Sequence, residues 1–220
     1  MPSLIAYVKE VFKKLDDNHF KVLRAIESNL SKFEVVPKDV IFRETGLGQR
    51  AEKLLKKLHE YKLIWAPMGL DRGFCLNYNG LDLLALKALV DRNVIESLGK
   101  PLGVGKEADV YDAISPKGER LAVKFFRIGR ISFRDTRRKR EYVSPEKQHH
   151  WLIVNISAAK KEFNALKRLK PYGVRVPNVI ARDRHVVVME LIDGIRLSDV
   201  PCLLYTSDAA DEGLGVDLGG

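Results

Sequence analysis

Apolar positions fall at helical spacing through much of residues 1–95 and in strand-like runs beyond them. Leu4, Val8, Val11 and Leu15 share one face of a short amphipathic lead-in, and Phe20, Val22, Leu23 and Ile26 mark a second helix over 18–30. Pro37 suits the first turn of a short helix over 38–44, and Gly46-Leu47-Gly48 makes a tight turn. Ala51, Leu54, Leu55 and Leu58 then line one face of a further helix. Two short strands, 63–67 and 74–78, flank a glycine-bounded turn and predict a hairpin. A last helix over 80–93 aligns Leu83, Leu86 and Val90. Helix, helix, turn, helix and two-stranded wing is the order of a winged helix-turn-helix. Such modules bind nucleic acid through a recognition helix, and they also dock proteins.

From about residue 96 the pattern changes. Gly103-Val104-Gly105-Lys106-Glu107-Ala108-Asp109-Val110-Tyr111 reads as a glycine-rich loop between two strands. Gly103 and Gly105 allow the backbone a close approach to phosphate, where a side chain would collide. No Gly-Lys-Ser/Thr closes the loop, and a strand rather than a helix follows, which excludes a P-loop and a dinucleotide fingerprint. A turn at Ser115-Pro116-Lys117-Gly118 leads into the strand Leu121-Ala122-Val123-Lys124-Phe125-Phe126. With a period of two, Ala122 and Lys124 share one face, and Leu121, Val123 and Phe125 the other. A lysine on so apolar a strand calls for an anion, unless it sits at an edge and reaches water.

A helix over 158–170 turns Ala159, Phe163, Leu166 and Leu169 inward, with Glu162 at the border of that face. The positions three and four residues from Glu162 hold no base, so Lys124 is the candidate cation for it, with water as the alternative. The apolar strand Val186-Val187-Val188-Met189-Glu190 then runs into Leu191-Ile192-Asp193-Gly194 and can present backbone groups at Glu190 and Ile192.

Composition narrows the class. The 220 residues are 45% hydrophobic and 30% charged, ordinary for a soluble globular chain of one large or two small domains. No apolar run approaches the ~18–20 residues of a membrane span. Two cysteines fit a reducing compartment, and a cytoplasmic protein with no membrane partner is expected. The net charge of +9 raises the prospect of a polyanionic partner, as does the basic surface carrying Arg50, Lys53, Lys56, Lys57 and Lys62. Residues 130–150 hold many bases and few apolar anchors, which predicts a mobile basic loop with Thr136 and Ser144 as candidate phosphorylation sites. The pair His149-His150 has no further ligand at metal spacing and is expected to be solvated.

Glycine loop, strand lysine, helix glutamate and strand-to-linker segment, in this order, resemble the small lobe of a protein kinase. Gly103 to Tyr111 and Val188-Met189-Glu190-Leu191-Ile192-Asp193-Gly194 are similar to the RIO family of atypical kinases, and a winged helix in front marks its type-two subfamily. The resemblance covers about residues 1–200. It implies an α+β fold: a winged helix at 1–95 and a kinase-like small lobe at 96–200, with an antiparallel sheet and one helix. It implies that Gly103, Gly105, Lys106, Glu107, Val110 and Ala122 border ATP. Lys124 would hold its α/β-phosphates and Glu162 would orient Lys124. Met189 would border the adenine pocket, with backbone groups of Glu190 and Ile192 on the base. Ala108 departs from the pattern, which has glycine in kinases generally and serine in this subfamily. The family acts as a serine/threonine kinase or ATPase in small ribosomal subunit maturation, which implies ribosomal RNA or a subunit precursor as partner. A non-enzymatic nucleic-acid-binding module is the alternative.

Phosphoryl transfer also needs an H-x-D-x-x-x-x-N loop and a later metal-binding Asp, and neither pattern follows Asp193. No catalytic residue and no metal ligand is therefore assigned here, the Mg²⁺ ligands being expected in an absent large lobe. Residues 202–220 carry four acids and no Lys or Arg, and resemble translated sequencing-adaptor read-through. The expectation is a fragment with a non-native tail at 201–220, inactive in phosphotransfer.

Overall fold

The computed structural model describes residues 4–67, 69–129 and 145–195. The N-terminal part runs α1 (Leu4–Phe12), α2 (Asp17–Ser28), β1 (Val36–Pro37), α3 (Lys38–Thr45), α4 (Gln49–Glu60), β2 (Ile64–Trp65), β3 (Gly73–Leu76) and α5 (Tyr78–Asp91). Helix α2 starts at a capping box: the Asp16 carboxylate accepts from the His19 N–H, and His19 Nδ1 accepts from the Asp16 N–H. Gly46, at φ 62°, ends α3 in the left-handed conformation. The wing has three strands, in the order β1-β3-β2, where the pattern predicts two. A two-residue strand is too short to show alternation, and Pro37 lies in it, at the N-cap of α3 rather than in the first turn.

The second part is a five-stranded antiparallel sheet ordered β4-β5-β6-β8-β7, from β4 (Ser97–Val104), β5 (Ala108–Ile114), β6 (Arg120–Phe126), β7 (Val179–Asp183) and β8 (Val186–Glu190). Between β6 and β7 lies α6 (Pro145–Leu169), followed by a single 3₁₀ turn. This is the α+β architecture implied by the resemblance. Helix α6 starts earlier than periodicity predicts, so His149 and His150 are helical and not part of a loop. Residues 130–144, with Thr136 and Ser144, and residues 196–220 lie outside the described residues.

Helix α5 joins the two parts through a shared core. Its Leu81, Leu83 and Leu84 pack with Phe20, Ile26, Leu55 and Phe74 of the N-terminal part. Its Ala85, Leu86 and Leu89 pack with Val123, Phe125, Val186 and Val188 of the sheet. Leu89 takes the buried place that spacing assigned to Val90, which is exposed. A fully buried Phe125 or Leu89 contributes about 1.5–3 kcal/mol. The opposite face of the sheet packs Ala122, Phe126, Val187 and Met189 against Ala159 of α6. Helix α6 can lie this close because Gly129, at φ 89°, carries no Cβ; one there would sit 2.5 Å from the Trp151 ring.

Candidate functional site

Antiparallel pairing places Val110 beside Lys124 and Ala122 beside Met189, so these four share the α6 face of the sheet. On α6, Glu162 meets Lys124: the ammonium donates to both carboxylate oxygens, at 2.8 and 2.7 Å. The lysine Nζ also lies 4.9 Å from the Phe126 ring centroid. Both partners stay about a quarter exposed, so the pair adds only ~0–1 kcal/mol to stability. Its consequence is geometric: it holds one ammonium at a fixed point on an otherwise apolar face.

The glycine loop joins β4 to β5, with Gly103 paired to Val110, which is itself paired to Lys124. A Cβ at Gly103 would meet no protein atom within 4 Å, so nothing in the fold itself demands glycine there. Open space at a loop glycine two strands from a fixed ammonium is compatible with a phosphate group. Gly105 closes the turn by donating its N–H to Ala108 O at 2.8 Å. The side chains of Lys106 and Glu107 are exposed at the tip, and Glu107 contributes its carbonyl to the fold by accepting from the Arg127 N–H.

At the other end of the face, Met189 is buried and Ile192 is 64% exposed. The Glu190 N–H donates to Asn178 O at 2.9 Å and its carboxylate accepts from the Asn178 N–H, so both are engaged by the segment that leads into β7. Among the described residues no group of three or more His, Cys, Asp or Glu is placed to hold a metal ion. No described helix is long and apolar enough to cross a membrane.

Beneath the glycine loop, on the α5 side, lies a buried polar cluster that sequence reasoning missed. Arg127 donates from both terminal nitrogens to Asp82, at 2.7 and 2.8 Å, and its Nε lies 3.5 Å from Asp109 Oδ2. His185 Nε2 donates to Asp82 Oδ1 at 2.8 Å, and its Nδ1 is buried without a partner. Asp82 and His185 are 1% and 0% exposed, which forces every charge among them to be answered internally. Burial raises the Asp82 pKa, but the Arg127 guanidinium and the His185 hydrogen bond outweigh it and hold the carboxyl below the usual carboxylate range. Burial pushes the His185 imidazole below its ordinary value of 6.5, more strongly than Asp82 pulls it up. One signal was legible: Asp82 interrupts the apolar run Leu81 to Leu86. Its partners, 45 and 103 residues away, were not.

This cluster sets a pH dependence. Because the folded imidazole resists protonation, the unfolded chain binds the extra proton once pH falls below about 6.5. Stability is therefore full above that value and declines as pH falls through the folded pKa, with a further decline below 3.8 as Asp82 is protonated in the unfolded chain first. Urea titrations between pH 7.5 and 5 are expected to show a slope of up to about 1.4 kcal/mol per pH unit that is flattened in His185→Gln. Equal slopes in the two proteins would remove His185 as the cause.

Comparison with known proteins places these features in a family. The Rio2 N-terminal family matches residues 12–92, and the RIO domain family matches residues 109–213. The chain is 37% identical over 192 residues to serine/threonine-protein kinase RIO2 of Caenorhabditis elegans, covering 86% of this chain and 36% of that protein. It is 38% identical over 193 residues to rio2 of Schizosaccharomyces pombe, covering 87% and 56%. Across the first curated relatives the chain spans between 36% and 60% of their length. A crystal structure of the Chaetomium thermophilum Rio2 kinase–ADP/Mg²⁺–phosphoaspartate complex is similar at a TM-score of 0.76 and 33% identity, over 91% of this chain and 61% of that one.

Proposed function

Because this chain belongs to the RIO2 type of the RIO kinase family, we propose that it is the nucleotide-binding part of an ATP-dependent serine/threonine kinase or ATPase. The observation that carries this reading is the Lys124–Glu162 pair on the sheet that the glycine loop opens, with open space at Gly103. Lys124 holds the α/β-phosphates, and Glu162 keeps its ammonium pointed at them. Gly103 and Gly105 let loop amides approach the phosphates, with Lys106 and Glu107 at the loop's outer edge. Val110, Ala122 and Met189 sandwich the base, the Glu190 carbonyl accepts from it, and the exposed Ile192 backbone meets its edge. When bound with Mg²⁺, ATP supplies the transferable γ-phosphoryl group.

No H-x-D-x-x-x-x-N pattern follows Asp193, so the 220-residue chain binds nucleotide without transferring phosphate. The proposed setting is cytoplasmic small-subunit maturation. There, exposed Arg50, Lys53, Lys56 and Lys57 on α4 offer a polyanion such as ribosomal RNA a row of cations.

Calorimetric titration of the purified chain with ADP and Mg²⁺ tests the reading. Lys124→Ala is expected to weaken binding about ten- to hundredfold while leaving the thermal transition nearly unchanged, since the partly exposed pair contributes little stability. Equal ADP affinity in wild type and variant overturns the site. Salt-dependent RNA binding that survives Lys124→Ala, with no nucleotide binding in either protein, favours a nucleic-acid-binding module instead.

A further inference from the structure

We propose that Asp82 and Arg127 are positioning residues through which the winged-helix part sets the stance of the glycine-rich loop. Pairing of Gly103 and Val104 with β5 and the Gly105–Ala108 hydrogen bond shape the turn itself. Gly103 and Gly105 carry no side chains, and Val104, Lys106 and Glu107 are exposed. What anchors it is the shoulder where it enters β5. There the Glu107 carbonyl accepts from the Arg127 N–H at 2.5 Å, and the buried Asp109 carboxylate lies 3.5 Å from Arg127 Nε. Both contacts come from one residue, which stands three positions after Lys124 on the continuation of β6.

The Arg127 guanidinium is in turn held by α5. Asp82 receives two hydrogen bonds from it, one to each oxygen, which fixes the plane of the fork as well as its position. Phe125 and Tyr78 flank the guanidinium, with ring centroids at 5.5 and 5.8 Å. The chain of contacts therefore runs from α5 through Asp82 and Arg127 to the two residues on which the loop pivots. An unanchored loop would vary in position, and its amides would meet phosphates less often. The winged-helix part thus becomes scaffolding for phosphate recognition, and its effect falls on the phosphates and not on the base.

The affinity half of this inference rests on the nucleotide reading, while the loop-ordering half does not. Hydrogen–deuterium exchange on the full chain reads the second directly. In Asp82→Asn, amides of residues 103–109 are expected to exchange about tenfold faster, with those of β6 and β8 unchanged. Asp109→Asn leaves the Asp82–Arg127 pair intact and is expected to give the same local loosening, which keeps the test decisive if Asp82→Asn fails to fold. In parallel, ADP affinity is expected to fall about tenfold and adenosine affinity to stay constant. Unchanged exchange at 103–109, an equal rise throughout the sheet, or equal losses for ADP and adenosine would each overturn the proposal. Failure of the wild-type chain to bind ADP would count against the nucleotide reading alone, with exchange still deciding the loop.

Discussion

Arg127→Ala is expected to lower the free energy of unfolding by about 3–5 kcal/mol, because it leaves two carboxylates buried without their cation. Asp82 and Arg127 are 1% and 7% exposed, so water cannot take over the lost contacts without opening the core between α5 and the sheet. Burial opposes the arginine's charge, yet the Asp82 carboxylate outweighs it and raises the guanidinium further above its ordinary value. With Asp82 held below the usual carboxylate range, the pair is ionised at neutral pH. Lysine at 127 keeps the charge but loses the two-pronged geometry, so an intermediate loss is expected from Arg127→Lys. Urea denaturation with a double-mutant cycle against Asp82→Asn measures the coupling. A loss below about 1 kcal/mol from Arg127→Ala, or additive effects in the cycle, would show that the two side chains act independently.

A second set of ion pairs also ties the two parts together. Arg184, at φ 47°, adopts a left-handed conformation that costs a non-glycine residue on the order of 1 kcal/mol. It is held there by Glu27 of α2 and by Asp183, while Arg92 at the end of α5 donates to Asp183 at 2.8 Å. Together with the shared α5 core, these ties join winged helix and small lobe into a single packed body, for which one unfolding transition by all probes is expected.

Asn155→Leu is expected to cost about 2–4 kcal/mol and to weaken ADP binding as well. Asn155, fully buried on α6, accepts from the Ile128 N–H at 2.7 Å and donates to Ile128 O, Tyr78 Oη and Trp151 O at 3.1, 3.0 and 2.7 Å. Leucine has similar bulk but answers none of these groups. The Ile128 N–H would be left without its acceptor at about 1–3 kcal/mol, and the Ile128 carbonyl would keep only the 3.4 Å bond from Tyr78 Oη. Helix α6 is thereby unpinned from the end of β6, and Glu162 lies seven residues further along the same helix. Lys124 then loses its fixed partner. Parallel denaturation and ADP titrations check both effects; unchanged ADP affinity would mean that α6 is held in place by its apolar face alone.

Local chemistry was enough to read most of the elements and to put Lys124 opposite Glu162. Leucine spacing in α4, alternation in β6 and the glycines before β5 each report through interactions within a few residues, and sequence carries those directly. The opposed faces of β6 follow from the same period of two: Lys124 and Ala122 look toward α6, Val123 and Phe125 toward α5. What covers those faces did not follow. That α5 serves both cores, that Arg127 finds Asp82 across 45 residues, and that Asn155 locks α6 to β6 depend on contacts between distant segments. An isolated Asp, Arg, His or Asn in an apolar run signals that a partner exists. Only the folded chain decides which one, because burial makes the choice, and burial is a property of the tertiary structure.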